Sequence, residues 1–429
     1  MKKFLLILTL SLSCNLFYAQ GWIPLGTGFN QEGRVLYADT ILNRLFAGGL
    51  FANVNGHIQG GIAAWTGASW DTTITGFDWA PVNTIEEYRN QLYAGGSTDY
   101  NGFTRWNGTS WDSIDVAFGF GGTPVWFCEY DSLLYCSGLF NDVDGFYSPR
   151  IAAWNGTNWI TVGLPPGVSA PEGVVASIVF QNKIYFASSF YDTLTNTAFS
   201  LLTFDGANWS ELGNNLGSLI YCMAVYNNEL YIAGNLLANG QYIYKWDGVN
   251  FVSVGGGVNH EIWNLRVIGD KLFAVGGFTH AGSVTANSIA IWDGNNWSAF
   301  SNDTFNIAVD DIAVFNNEIY VTGGFTRINS DTVLYIAKYQ GWYLGESNIK
   351  KNGGINVYPN PAYNTLNIHL HSYTTNETVL ITDVLGEEIY KETLNGIDNC
   401  IDVSKWNEGV YFIMIKSQDN IIKEKFIKM

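Results

Sequence analysis

An all-β chain, forming a seven-bladed β-propeller followed by a small C-terminal β-sandwich, is the architecture this sequence predicts. Three observations predict it. An aromatic–turn–aromatic string recurs seven times through the first three quarters of the 429 residues. A β-rich string running into glycine or another small residue precedes each copy. The composition agrees: 47 Gly, 16 Trp, 24 Tyr and 26 Phe with only 14% charged residues favour strands and tight turns over helices.

The first string reads WTGASW (Trp65–Trp70), WNGTSW (Trp106–Trp111), WNGTNW (Trp154–Trp159), FDGANW (Phe204–Trp209), WDGVNF (Trp246–Phe251), WDGNNW (Trp292–Trp297) and a shortened YQGW (Tyr339–Trp342). The first aromatics lie 41, 48, 50, 42, 46 and 47 residues apart, the spacing of propeller blades. The second string reads LFAGG at Leu45, LYAGG at Leu92, LYCSG at Leu134, IYFAS at Ile184, LYIAG at Leu230, LFAVGG at Leu272 and IYVTGG at Ile319. Most copies follow an Asn or Asp turn residue, such as Asn90, Asn228 or Asn317. Each unit therefore predicts four strands: an apolar strand a, the LYAGG-like strand b, strand c and strand d. The Asn-Gly or Asp-Gly between c and d is expected to turn with both residues at φ > 0. The two aromatics should then face each other across the hairpin. The glycines after strand b mark a close backbone approach.

Four-stranded units of this length close into a ring to remove exposed edges. WIPLGTG (Trp22–Gly28) is a strand-d sequence with no blade of its own. We expect it to pair with the last strand c, Leu334–Tyr339, in competition with WYLG (Trp342–Gly345). The order of these strings resembles the kelch repeat of galactose-oxidase-type propellers over residues 22–345. It also resembles repeats of bacterial surface proteins and fungal cortical polarity markers. That resemblance implies a fold and leaves the activity open.

The ends of the chain indicate its route. Lys2, Lys3 and the apolar run Phe4–Leu12 read as a signal peptide over residues 1–19, too short to span a bilayer. Cys14 invites a lipoprotein reading, but Ser11 stands where the lipobox wants Leu. Residues 20–345 form the repeat region, and 346–356 (beginning ESNIKKNGG) read as a linker. Residues 357–429 carry strand-like runs TLNIHL, ETVLITDVLG, EEIYKETL, GVYFIMIKS and IIKEKFIKM, which suggest a sandwich. This segment resembles the C-terminal sorting domain of type IX secretion substrates in Bacteroidetes. The matching residues are Tyr358, Pro359, Asn360 and Pro361, then Asp383 and Gly386, then Gly409 and Tyr411. Trp406 departs from the smaller residue usual there. The resemblance implies the type IX secretion machinery as a partner. It also implies passage through the periplasm and a secreted or outer-membrane surface location.

The net charge of −17 excludes a nucleic-acid partner. The acidity lies in residues 20–345, with 11 basic and 27 acidic side chains. No later segment reads as a transmembrane helix. Cys128 and Cys136 flank the turn Asp131-Ser132 at positions that should point to opposite faces. Buried free thiols are therefore expected there, and CxxC metal spacing is absent.

Chemistry is sparse. His57, His260 and His280 are the histidines of the repeat region and form no metal spacing. Nothing marks the copper–tyrosine–cysteine constellation of a galactose oxidase, so neither cofactor nor metal is expected. FNDVDGF (Phe140–Phe146) lacks the first acid of a calcium loop, and FANVNGH (Phe51–His57) lacks all acids; both read as b–c loops. The DGxxW strings differ from a sialidase Asp box, because Asp205, Asp247 and Asp293 directly precede Gly. Carbohydrate recognition is the specific function considered, by aromatics beside carboxylates and amides. The d–a and b–c connections should share one face and present Arg34, Trp79, Phe120, His260, Glu261 and Trp263. Packing between blades is the plainer reading of most of these aromatics. Six Asp-Ser/Thr strings resemble the O-glycosylation acceptor pattern of Bacteroidetes, at Thr40, Thr72, Ser113, Ser132, Thr193 and Thr332; turn chemistry is the alternative. The expected function is a secreted or surface-attached binding or adhesion module for glycan or a surface protein. The alternative is a secreted polysaccharide-acting enzyme with its site on the loop face, although no catalytic residues are identified.

Overall fold

The structure is a computed structural model. It describes residues 21–39, 42–74, 81–97, 102–114, 118, 122–212, 219–235 and 242–340 of the repeat region. Beyond it are described 355–358, 362, 364–370, 378–383, 387–394, 396, 398–407, 409–416 and 421–428. The chain divides into two compact units, Met1–Trp342 and Tyr343–Met429. The signal segment, Trp342–Gly345 and the linker before Ile355 lie outside the described residues.

The described residues are all-β. Each repeat unit makes an antiparallel sheet in the order a–b–c, with a strand d beside c in every sheet but the first, where Trp70 makes only an isolated bridge to Trp65. Strand a of sheets 1 to 7 is Gly33–Asp39, Val82–Tyr88, Thr123–Tyr130, Ala176–Phe180, Leu219–Tyr226, Ile262–Ile268 and Val309–Phe315. Neighbouring a strands touch in sequence, and the seventh touches the first, so the a strands form a closed cycle. Hydrophobic clusters join neighbouring sheets; Phe315, Tyr320 and Ile336 of sheet 7 join Leu36, Leu45 and Ala47 of sheet 1.

The a–b turns are two residues long where the sequence predicts them. Both residues have φ > 0 at Arg89-Asn90, Asp131-Ser132, Gln181-Asn182, Asn227-Asn228 and Asn316-Asn317, the geometry that matches strand twist. The c–d turns differ from expectation. The aromatic pair encloses four residues, and only the glycine has φ > 0, as at Gly206, Gly248 and Gly294. The preceding Asp serves by its side chain instead. Asp205 Oδ1 accepts the Ala207 and Asn208 amides at 3.0 and 2.7 Å, and Asp247 and Asp293 repeat this. These bonds hold all three carboxyls below the usual range.

The aromatics pair across each c–d hairpin, with ring centroids 5.4 Å apart for Trp106–Trp111 and 4.5 Å for Phe204–Trp209. In sheet 7 the second aromatic comes from the start of the chain. Gly21–Pro24 pairs with Ile336–Gln340, placing Trp22 opposite Tyr339 at 4.9 Å. The expected closing strand is thus present but shorter than Trp22–Gly28. It stops at Pro24, and Gly26 and Gly28 turn with positive φ.

Cys128 pairs with Tyr135 and Phe127 with Cys136, as the two-residue turn requires. Cys128, Cys136, Cys222 and Cys400 are free thiols. FNDVDGF is a b–c hairpin in which Asp142 pairs with Tyr147 and Val143 with Phe146.

The C-terminal unit contains two sheets. One orders Ile355–Tyr358, Thr365–Leu370 and Asp398–Asp402; the other orders Glu388–Thr393, Thr378–Thr382, Gly409–Lys416 and Ile421–Lys428. Leu366, Ile368 and Ile401 from the first share a core with Val379, Ile381, Ile413 and Phe426 from the second. Tyr411 is buried against Phe426 and donates its hydroxyl to the Asn407 carbonyl at 2.8 Å. The atypical Trp406 fits by packing on Tyr390, Tyr411 and Phe426. Asp383 Oδ1 accepts the Glu387 amide. Tyr358 and Gly409 are in strands, whereas Pro359, Asn360, Pro361 and Gly386 lie outside the described residues.

Candidate functional site at the entrance of the strand cycle

Six of the seven a strands carry a β-bulge at the same place, five residues before the strand ends. The skipped residues are Arg34, Asn83, Val125, Tyr221, Trp263 and Asp310. A bulge leaves its extra residue out of the ladder and re-aims its side chain. The glycines after strand b make it fit. A Cβ on Gly49, Gly96, Gly138, Gly234, Gly276 or Gly323 would collide with a carbonyl oxygen at the start of strand a. The repeated glycine string and the row of re-aimed side chains therefore have one cause.

The connections around this row meet as expected. Phe29, Phe118, Val258 and Phe305, from d–a connections, each bridge to the b–c hairpin of the next sheet. Asn30, Asn259 and Asn306 each accept two amides from those hairpins. The d–a and b–c connections thus share one end of the sheets.

Two groups of side chains occupy this end. On sheets 7, 1 and 2, Arg34 donates to Asn83 Oδ1 at 2.7 Å and to Glu32 Oε1 at 3.3 Å. Glu32 hydrogen-bonds the half-buried Asp310. Burial, and then the Glu32 charge, push the Asp310 carboxyl well above the carboxylate range, with Arg34 opposing. On sheets 5 and 6, Tyr221 and Trp263 stack face to face, 4.7 Å apart and 6° from parallel, with Trp263 39% exposed. His260 Nδ1 lies 2.9 Å from Glu261 Oε2, and its ring stacks on Tyr242.

One level deeper, Asp311 is fully buried and binds three sheets together. It accepts the Leu36 amide of sheet 1, Asn264 Nδ2 of sheet 6, and both Arg266 Nε and Nη2 at 2.9 and 2.8 Å. Burial, the largest single influence, lowers the Arg266 pKa, but the Asp311 charge, its hydrogen bonds and the Glu86 charge together outweigh it and raise it. Glu86 of sheet 2 feels the Arg266 charge and is pushed up to about 7, by burial first. Burial likewise pushes the Cys128 thiol up to about 12, so it is unreactive at neutral pH.

Of the expected ligand-binding residues, Arg34, His260, Glu261 and Trp263 are at this end, and Trp79 and Phe120 lie outside the described residues. Glu32, Asn83, Tyr221 and Asp310 were not anticipated. Aligning the repeats from their a–b turns would have placed Asn83, Tyr221 and Asp310 in one column with Arg34 and Trp263. Of the hydroxyls in Asp-Ser/Thr strings, Thr72, Ser132, Thr193 and Thr332 are exposed, Ser113 is in a strand, and Thr40 lies outside the described residues. Among the described residues, no group of three or more His, Cys, Asp or Glu could hold a metal ion. Among them, too, no helix is long and apolar enough to cross a membrane.

Comparison with known proteins defines the C-terminal unit. Residues 356–429 match the secretion system C-terminal sorting domain family. The chain thus carries a type IX sorting tail, which indicates export by that system to the cell surface or beyond. No curated protein matches the sequence. Among solved structures, PorZ aligns with 14% identity and a TM-score of 0.34, over 90% of this chain and 64% of its own. PorZ is described as an essential bacterial surface component of the type IX secretion system of Porphyromonas gingivalis. This chain therefore spans a little under two thirds of that relative. The computationally designed Ika8 protein aligns at 13% identity and TM-score 0.46, over 75% of this chain and 99% of its own. A chain of the mitotic checkpoint complex aligns at 12% and 0.43, over 79% and 99%. At these TM-scores the three likenesses carry no functional inference.

Proposed function

We propose that residues 20–345 are a seven-bladed, kelch-like β-propeller, that residues 357–429 form a sandwich-type sorting domain, and that the exported molecule is a saccharide-binding module. The closed cycle of a strands supports the fold reading. The row of bulged residues at one end carries the functional one. It sets Trp263, partly exposed and backed by the stacked Tyr221, at the same end of the sheets as the donors and acceptors Arg34, Asn83, Glu32 and Asp310. A flat aromatic face with nearby carboxylates and amides suits a sugar ring and its hydroxyls. The test is a glycan array probed with protein beginning at Gln20. Binding that disappears in Trp263→Ala and weakens in Asn83→Ala supports the reading; no binding to any glycan overturns it.

The Glu32–Asp310 pair favours a second reading. Asp310, whose carboxyl burial holds well above the usual range, hydrogen-bonds a second carboxyl, Glu32, and a carboxyl pair of this kind is what a polysaccharide-acting enzyme would use. Release of reducing ends from array-positive glycans, lost in Asp310→Asn while binding persists, would select this reading. Thr72, Ser132, Thr193 and Thr332 are exposed enough to accept O-linked glycan. Intact mass of the natively secreted protein without added hexose would end that proposal.

A further inference from the structure

A repeat makes its departures visible, and the gap between sheets 1 and 2 holds several of them. At three other gaps the first indole of a sheet meets a tyrosine hydroxyl from strand b of the sheet before it. Trp154 Nε1 donates to Tyr93 and Trp292 Nε1 to Tyr231, both at 3.4 Å, whereas Trp65 lies against Tyr320 with its Nε1 unpartnered among the described residues. Each tyrosine donates onward to the residue two positions before it: Tyr93 to Gln91, Tyr231 to Glu229 and Tyr320 to Glu318.

Sheet 1 lacks this set. Phe46 stands in place of the tyrosine and Arg44 in place of the acid. Trp106 is 7% exposed, and its Nε1 has no hydrogen-bond partner among the described residues. Leaving such a donor buried and unpaired is unfavourable. Arg44 turns instead to Asp71 at 3.0 Å. The turn glycine also differs. Gly67, Gly156 and Gly294 would each contact a turn side chain of the preceding sheet through a Cβ, whereas Gly108, like Gly248, faces open space.

A cavity of about 360 Å³ occupies the gap, lined by Arg44, Phe46, Asp71, Thr73, Ile74 and Trp106 among others. A second, of about 200 Å³, shares Leu42, Trp106 and Gly108 with it. The two lie at the a–b and c–d turn end of the sheets, away from the entrance row.

We propose that this cleft between sheets 1 and 2 is a second binding site, for a neutral hydroxylated ring such as a hexose unit of a saccharide. Phe46, Ile74 and Trp106 give it an apolar wall. Trp106 Nε1 and Arg44 supply donors, the Asp71 carboxylate an acceptor, and Thr73 both. A hydroxyl donates and accepts and so matches this mixture. An anion is disfavoured, because Arg44 is already neutralised by Asp71 and because Asp39 and Glu87 border the adjoining cavity. A cation offers Trp106 no acceptor.

The experiment titrates protein beginning at Gln20 with cellobiose, maltose and lactose, by ligand-observed NMR. At least one should bind. Phe46→Tyr supplies the hydroxyl that sheets 2, 5 and 7 already carry, satisfies Trp106 internally and narrows the cleft. It should weaken binding roughly tenfold without lowering Tm. Trp106→Phe removes the donor, keeps the wall and should weaken binding similarly, which decides the matter if Phe46→Tyr folds poorly. In a Trp263→Ala background, which removes the entrance contribution, binding should persist and should still weaken on Phe46→Tyr, so failure here is distinguishable from failure at the entrance. Absence of binding by all three sugars, or binding sensitive to Trp263→Ala alone, overturns the proposal.

Discussion

Asp311 shows how much one side chain can do where the first and last sheets meet. It is wholly buried, yet it satisfies an amide of sheet 1 and an amide and a guanidinium of sheet 6. Removing it strands Arg266, although that side chain keeps 38% exposure, which softens the penalty. Asp311→Ala should therefore destabilise the first unit by about 3 kcal/mol, read from urea unfolding; a change below about 0.5 kcal/mol would show that the staple is idle. Glu86 makes a pH prediction. Its folded pKa is raised from 4.5 to about 7, so the folded state holds the proton more tightly than the unfolded one. Its contribution is complete below about pH 4.5 and is lost as pH rises towards 7. Glu86→Gln should flatten the fall in Tm across that interval, and an unaltered profile would contradict the assignment. Little of this was legible in the sequence. Asp311 and Glu86 sit in apolar strands with no local sign of their partners, which come from sheets far away along the chain.

At the scale of the element, the local signals were reliable and the tertiary ones were not. The Asn turns and aromatic pairs are fixed by neighbours within one hairpin, and they form where the residues predict. The Asp-Gly turn was read with the wrong geometry, because an aspartate that caps two amides through its carboxylate leaves only the glycine to take positive φ. The bulge escaped notice although its glycines did not. They announce a close approach, but not which residue on the other strand is pushed out. Gly276→Ala puts a methyl against the Glu261 carbonyl and should cost about 1–3 kcal/mol. It should also disturb Trp263, seen as a shift in tryptophan fluorescence; a variant with native stability and spectrum would break the link between glycine and bulge. The N-terminal strand makes a comparable claim. Starting the chain at Leu25 removes Trp22 from Tyr339 and opens the outer edge of sheet 7. Tm should fall by several degrees, far more than for trimming an ordinary terminus.

For the whole molecule, the sorting address and the proposed binding row belong to different units. The C-terminal unit has its own core and its sorting-family match, so deleting residues 352–429 should leave the first unit folded but retained in the periplasm. Secretion of the truncated protein at normal levels would contradict this. The sorting tail was readable because its short strings are specific, and the repeats because they recur. The bulged row was not readable, because its six side chains are brought to one level by a cycle that no single repeat encodes. The most direct test of that level is a crystal structure of the protein beginning at Gln20, soaked with an array-positive glycan. The sugar ring should lie against the stacked Trp263–Tyr221 pair on its Trp263 side, with its hydroxyls within reach of Arg34, Asn83 or Asp310. A glycan bound elsewhere, with the bulged row empty, would contradict the account.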